Sequence, residues 1–88
     1  MKSNQERMHR IEKLLRENLK PERLEVTDDS HRHIGHEGAK QGAGHFTVAI
    51  ASPLFEGQSL LACHRMIYKA LASLMPQEIH ALKIKILS

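Results

Sequence analysis

The segment HFTVAIA (His45–Ala51) alternates Phe46, Val48 and Ile50 against Thr47, Ala49 and Ala51, and IHALKIKI near the C-terminus sets Leu82, Ile84 and Ile86 against Lys83 and Lys85. Both have the period of two that lets a strand bury one face. Between them lies a helical pattern that starts at Ser59 and ends at Pro76, with Leu60, His64, Ile67, Tyr68, Leu71 and Leu74 along one side. Two strands joined through a helix run parallel in one sheet, because no tight hairpin can connect them. The second face of HFTVAIA is small rather than charged, as suits a central or closely packed strand.

The upstream half supplies the remaining elements. SNQE is a capping-box pattern in which Ser3 and Glu6 satisfy each other's ends of a first turn. Met8, Ile11, Leu14, Leu15 and Leu19 follow at helical spacing, Arg10, Lys13 and Glu17 fall outside the stripe, and Pro21 stops the helix. RLEVTD alternates Leu24 and Val26 with Glu25 and Thr27, a short strand that can pair antiparallel with HFTVAIA across the intervening loop. SPLFEGQS is punctuation holding one short helical turn. The order is α-β-β-α-α-β. It predicts an α+β, two-layer α/β sandwich: one mixed three-stranded sheet with helices on one face. Residues 1–88 make a single domain with no internal repeat or linker.

Composition narrows the function classes. No run approaches the roughly 20 apolar residues of a membrane span, and the opening MKSNQERMHR is polar where a secretory signal is apolar, so a cytoplasmic protein is expected. The single cysteine, Cys63, excludes an internal disulfide and an all-thiolate metal cage. A net charge of +3 permits an anionic partner without demanding one. Phe46, Phe55 and Tyr68 are too few for a base-stacking platform. No nucleophile–base pairing, phosphate loop or paired carboxylates is present, so neither an enzyme nor a small-molecule substrate is expected.

The loop HRHIGHEGAKQGAGH holds His31, His33, His36 and His45 among glycines. Metal capture, proton sensing and a solvated connection compete to explain it. On extended backbone His31 and His33 share a face, whereas His33 and His36 share one only on a helical turn. His45 opens the second strand and reads as structural. Imidazole suits iron and zinc alike, so residue type does not name a metal, and acid competes with coordination.

Four stretches, LEVTDDSHRH, GHFTVAI, FEGQSLLACHRMIYKAL and IHALKIKI, resemble the BolA-like family over nearly the whole chain. One departure is the triplet Cys63-His64-Arg65, where that family commonly has Arg-His-Arg. The resemblance implies a fold similar to a class II K-homology domain. It also implies partnership with a monothiol glutaredoxin, in apo complexes and in complexes sharing a [2Fe–2S] cluster, for iron–sulfur cluster trafficking and iron sensing. In the cluster complex it implies one histidine ligand from the main helix, matched by His64, and one from the variable loop, matched by His33 with His36 as substitute. Histidine can replace cysteine on one iron of such a centre. The thiolates would come from the glutaredoxin and glutathione, with no cluster in the isolated protein. The alternative that the resemblance implies is a DNA-binding transcriptional regulator. Arg65, Lys69, Lys83 and Lys85 are then the candidate contacts to duplex phosphates. Against it, the helix junction FEGQS lacks the GxxG clamp of a K-homology nucleic-acid site, and the string Gly35–Gly38 lies between strands. Cys63, about 100° from His64 around a helix, reads as a small semi-buried residue.

Overall fold

The computed structural model describes residues 4–29, 44–75 and 77–87. Helix α1 (Asn4–Leu19) leads to strand β1 (Arg23–Asp28) and strand β2 (Gly44–Ala51). A 3-10 turn (Pro53–Phe55), helix α2 (Leu60–Ala70), a second 3-10 turn (Ala72–Leu74) and strand β3 (Ile79–Ile86) complete the chain. The expected second helix is thus a single 3-10 turn. The main helix is also shorter than its sequence pattern: it closes at Ala70, where Leu71 caps it, and the turn to Leu74 tightens to 3-10. The capping-box residue Ser3 lies outside the described residues.

The sheet has the order β1-β2-β3, with β1 antiparallel and β3 parallel to β2. Register places Val26 opposite Val48 and Leu24 opposite Ile50 on one side, and Leu82, Ile84 and Ile86 opposite Phe46, Val48 and Ile50 on the other. These residues share one face of the sheet. Ile11, Leu15 and Leu19 of α1 and Cys63, Ile67, Leu71 and Leu74 of the α2 region join them in one buried cluster. Both helices therefore cover the same face. Leu82, Ile84 and Ile86 are only half-buried, as befits an edge strand. The opposite face carries Arg23, Glu25 and Thr27, then Thr47, Ala49 and Ala51, then Lys83 and Lys85; no described element covers it.

The stripe on α2 is rotated from the one its sequence suggests. Leu60 is 68% exposed and Tyr68 40% exposed, while Cys63 is 2% exposed and belongs to the core. The helix seats residues 63, 67, 71 and 74 inward, which leaves Tyr68, about 100° around the axis from Ile67, on the flank; Leu60 lies on the same side of the wheel as Ile67 and Leu71 and is exposed as the first residue of the helix. Ser59 holds the start, its hydroxyl accepting from the Ala62 N–H at 3.0 Å. At the junction before it, Gly57 adopts φ +76°, which a side chain would strain. Ser52 ties this junction to α1: its hydroxyl donates to the Leu19 carbonyl at 2.5 Å and accepts from the Leu54 N–H at 3.1 Å. No described helix is long and apolar enough to cross a membrane.

Gly44 is required for a different reason. A Cβ there would collide with the Phe46 ring, which is 1% exposed and has no room to retreat. Gly44→Ala should cost about 1–3 kcal/mol, the usual range for forcing extra volume into a packed core. Denaturant unfolding should show the loss as a lower midpoint at unchanged slope.

Candidate functional site

The topology sorts the chain's chemistry onto two ends of one sheet. Because β2 and β3 run parallel, their first residues lie together, and β1 ends beside them. The loop with His31, His33 and His36 lies outside the described residues, but both of its anchors are at this end. The Asp29 N–H donates to the His45 carbonyl at 2.7 Å, and the Gly44 N–H donates to the Glu78 carbonyl at 3.1 Å. The Thr47 hydroxyl also donates to the Asp29 carboxylate.

The described side chains here include two histidines. His45 is 8% exposed, His80 is exposed, and their rings lie 5.1 Å apart with a 56° tilt. A break in the β2–β3 ladder makes this meeting possible. Gly44 pairs with Ile79 but His45 pairs with Ala81, so His80 is an extra residue between the two pairs. Regular alternation would send His80 to the core side with Leu82 and Ile84. A bulge re-aims a side chain, and His80 instead emerges beside His45. Glu78, just before it, accepts an ion pair from Arg10 of α1 at 2.6 Å, which secures the entry to β3.

His64 lies elsewhere. It is half-buried, five residues after the Ser59 cap, and α2 starts at the far end of the sheet, after β2 has finished. Ten residues separate it from Leu74, whose carbonyl accepts the Glu78 N–H at 2.9 Å at the histidine end. The six of them that are helical, to Ala70, already account for about 9 Å at about 1.5 Å each. The expected pairing of His64 with His33 or His36 therefore does not follow from the described frame, whereas His80 stands beside the loop's anchors. The sequence pattern does not single out His80, because IHALKIKI has the look of one uninterrupted alternation. The clue was present: Ile79 and Leu82, both core-facing, are three residues apart, so the period of two slips between them.

The structure also divides the four candidate nucleic-acid contacts. Lys83 and Lys85 project from the uncovered face of the sheet. Arg65 and Lys69 are exposed on the outer side of α2, two residues from Cys63 and Ile67, which point into the core. The two pairs occupy opposite faces of the sandwich and do not form one patch. Cys63 offers no accessible thiolate, with its Sγ directed to the Phe55 carbonyl at 4.0 Å. Among the described residues no group of three His, Cys, Asp or Glu side chains is placed to hold a metal ion.

Comparison with known proteins agrees with this architecture. A family model described as BolA-like protein matches residues 15–88. The chain is 41% identical over 75 residues to the DNA-binding transcriptional regulator BolA of Escherichia coli K12, covering 85% of this chain and 69% of that protein. It is 40% identical over 80 residues to SufE-like protein 1 of Arabidopsis thaliana, covering 85% of this chain but only 22% of that longer protein. Among solved structures, the BolA domain of SufE1 from Arabidopsis thaliana superposes with a TM-score of 0.79 at 40% identity, over 91% of this chain and 88% of that one. BolA1 from the same plant gives 0.78 at 34% identity, over 98% and 92%.

The split of basic residues has a measurable consequence for any duplex binding. A single duplex cannot engage both faces, so the variants Lys83→Glu/Lys85→Glu and Arg65→Glu/Lys69→Glu should differ. One should lower the salt slope of log K by about 2, the value for two lost phosphate contacts, and the other should leave it unchanged. Titration of a labelled duplex at several salt concentrations distinguishes them; equal loss in both would contradict the separation.

Proposed function

The chain belongs to the BolA-like family, and from that premise we propose that it is an adaptor for a monothiol glutaredoxin, completing a [2Fe–2S] cluster that the two proteins share as cargo in iron–sulfur trafficking and iron sensing. The family is one of non-catalytic regulators and adaptors. The observation that carries the finer reading is the placement of His80: an exposed imidazole, lifted out of the strand alternation, at the end of the sheet where the histidine-rich loop is anchored.

The donor set fits half of such a site. An imidazole can take a thiolate's place on one iron, and His80 offers one on ordered backbone. His45, whose ring packs at 5.1 Å, limits the orientations open to His80 and acts as a positioning residue. The second imidazole is His33 or His36, in the segment whose flanking residues Asp29 and Gly44 lie at this end of the sheet. The chain's lone thiol is buried in the core, so thiolates must arrive with the partner and glutathione. A half site of this kind holds no cluster alone and completes one only when the partner brings the rest.

A second reading, transcriptional regulation through DNA, is favoured by the name of the Escherichia coli relative. For this chain it rests on either Lys83 and Lys85 or Arg65 and Lys69, and the separation of those pairs makes it the weaker fit.

The test mixes this protein with a monothiol glutaredoxin, glutathione, ferrous iron and sulfide, and follows visible absorption and circular dichroism. His80→Ala should abolish the spectrum specific to the heterodimer while far-UV dichroism stays native. His64→Ala should retain that spectrum. His33→Ala or His36→Ala should weaken it, and whichever does so is the loop ligand. A wild-type spectrum from both His80→Ala and the double loop variant would sink the coordination reading. Loss in a folded His64→Ala variant would return the ligand to the helix.

A further inference from the structure

The end of the sheet opposite the histidines carries a feature that the adaptor reading leaves unused. A cleft of about 420 Å³ opens between the end of β2, the Pro53–Phe55 turn, the start of α2 and the end of β3. Phe55, Cys63, Ile86 and Leu87 line it, with Leu60 at its edge. Its volume lies within the roughly 300–1,000 Å³ typical of ligand sites. Leu60, at 68%, is the most exposed large apolar side chain among the described residues, and the next two, Leu61 at 60% and Leu54 at 46%, adjoin the lining residues Leu60, Pro53 and Phe55 in the chain. A single exposed leucine needs no explanation, but one that opens onto an apolar cleft of this size, with two more exposed leucines adjoining its lining in the chain, marks a surface that is covered in use.

We infer that this cleft docks an amphipathic helical segment of a third protein, one that carries basic residues beside its apolar stripe. The apolar lining runs from Leu60 and Cys63 of α2 through Phe55 to Ile86 and Leu87 at the end of β3, which suits an extended stripe of side chains at helical spacing better than a compact small molecule. Charge selects the flanks. The lining contains the carboxylates of Glu22 and Glu56, in a protein whose net charge is +3. Among the described residues one cation, Arg23, also lines it, and Arg23 belongs to the uncovered face of the sheet with Glu25. The cleft is therefore an acidic-rimmed apolar site on a basic molecule. A second copy of this chain is disfavoured, because a two-fold contact would set like rims of Glu22 and Glu56 against each other. Since His80 and the loop anchors lie at the other end, the cleft stays open when a partner sits on the histidines. The inference stands whether or not a cluster is shared there.

The experiment uses the full chain, isotope-labelled, and three synthetic helical peptides. One has leucines at i, i+3, i+4 and i+7 flanked by lysines; the second replaces those lysines with glutamates; the third scrambles the first. Amide shifts should move at Ala51, Cys63 and Leu87 with the first peptide and not with the scrambled one. The lysine peptide should bind at least tenfold more tightly than the glutamate peptide, a preference opposite to that of the protein's net charge. Leu60→Ser, exposed and so neutral to folding, should weaken binding about tenfold. Glu22→Gln/Glu56→Gln should erase the preference for lysine. The inference is overturned by absence of shifts at the cleft, by equal binding of both charged peptides, or by shifts centred on His80. It is equally overturned if the same amides shift with protein concentration alone, which would make the occupant a second copy.

Discussion

The parallel ladder between β2 and β3 is the constraint from which the rest of this molecule follows. Parallel neighbours cannot be joined by a turn, so the chain must leave one end of β2, cross the sheet and re-enter at the other. Helix α2 is that crossing, and its apolar residues Cys63, Ile67 and Leu71 are what bind it to the sheet on the way. The ladder also determines the company each residue keeps. The starts of β2 and β3 meet, bringing His45 to His80 and both to the loop anchors. The ends of β2 and β3 meet where α2 starts, and the apolar cleft forms there.

Burial rather than charge holds the arrangement together. Phe46, Val48, Ile50, Ile11, Leu15, Ile67, Leu71 and Ile79 are all at most 1% exposed, and each fully buried side chain of this size contributes about 1.5–3 kcal/mol. The Arg10–Glu78 pair joins α1 to the entry of β3, but its arginine is 41% exposed. Pairs of that kind typically contribute at most about 1 kcal/mol. Its effect is positional: it steadies the turn that delivers His80, while Ile79, fully buried one residue on, supplies the energy. The lysines on the free edge strand act in another way, since charged side chains there discourage edge-to-edge pairing with other chains.

The bulge at His80 shows how a local irregularity re-aims a side chain. With perfect alternation, a histidine between Ile79 and Ala81 would face the helices, where its polar nitrogens would be costly to bury. One extra residue in the ladder moves it to the outside and next to a second imidazole. The slip leaves Ile79 in the core and restarts the alternation at Leu82, so no apolar contact is lost to it. An exposed imidazole is thus mounted on the sheet beside Asp29 and Gly44, the residues that flank the histidine-rich segment.

The sequence by itself determined the strands RLEVTD, HFTVAIA and IHALKIKI, the parallel crossing and the one-sided helix layer. Each of these depends on the period of apolar residues, and that period is a property of adjacent positions. It also showed that one cysteine could not furnish an all-thiolate metal cage. Tertiary structure decided which way α2 is rolled, putting Cys63 inside and Tyr68 on the flank, and left Leu60 exposed at the helix start. A helix pattern with apolar residues on more than one side fits several rotations, and only packing against the sheet chooses among them. It likewise placed His80 beside the loop anchors, and turned Lys83 and Lys85 away from Arg65 and Lys69. Those facts relate positions distant in sequence through strand direction and one slipped register, and a linear pattern records neither until the ladder is formed.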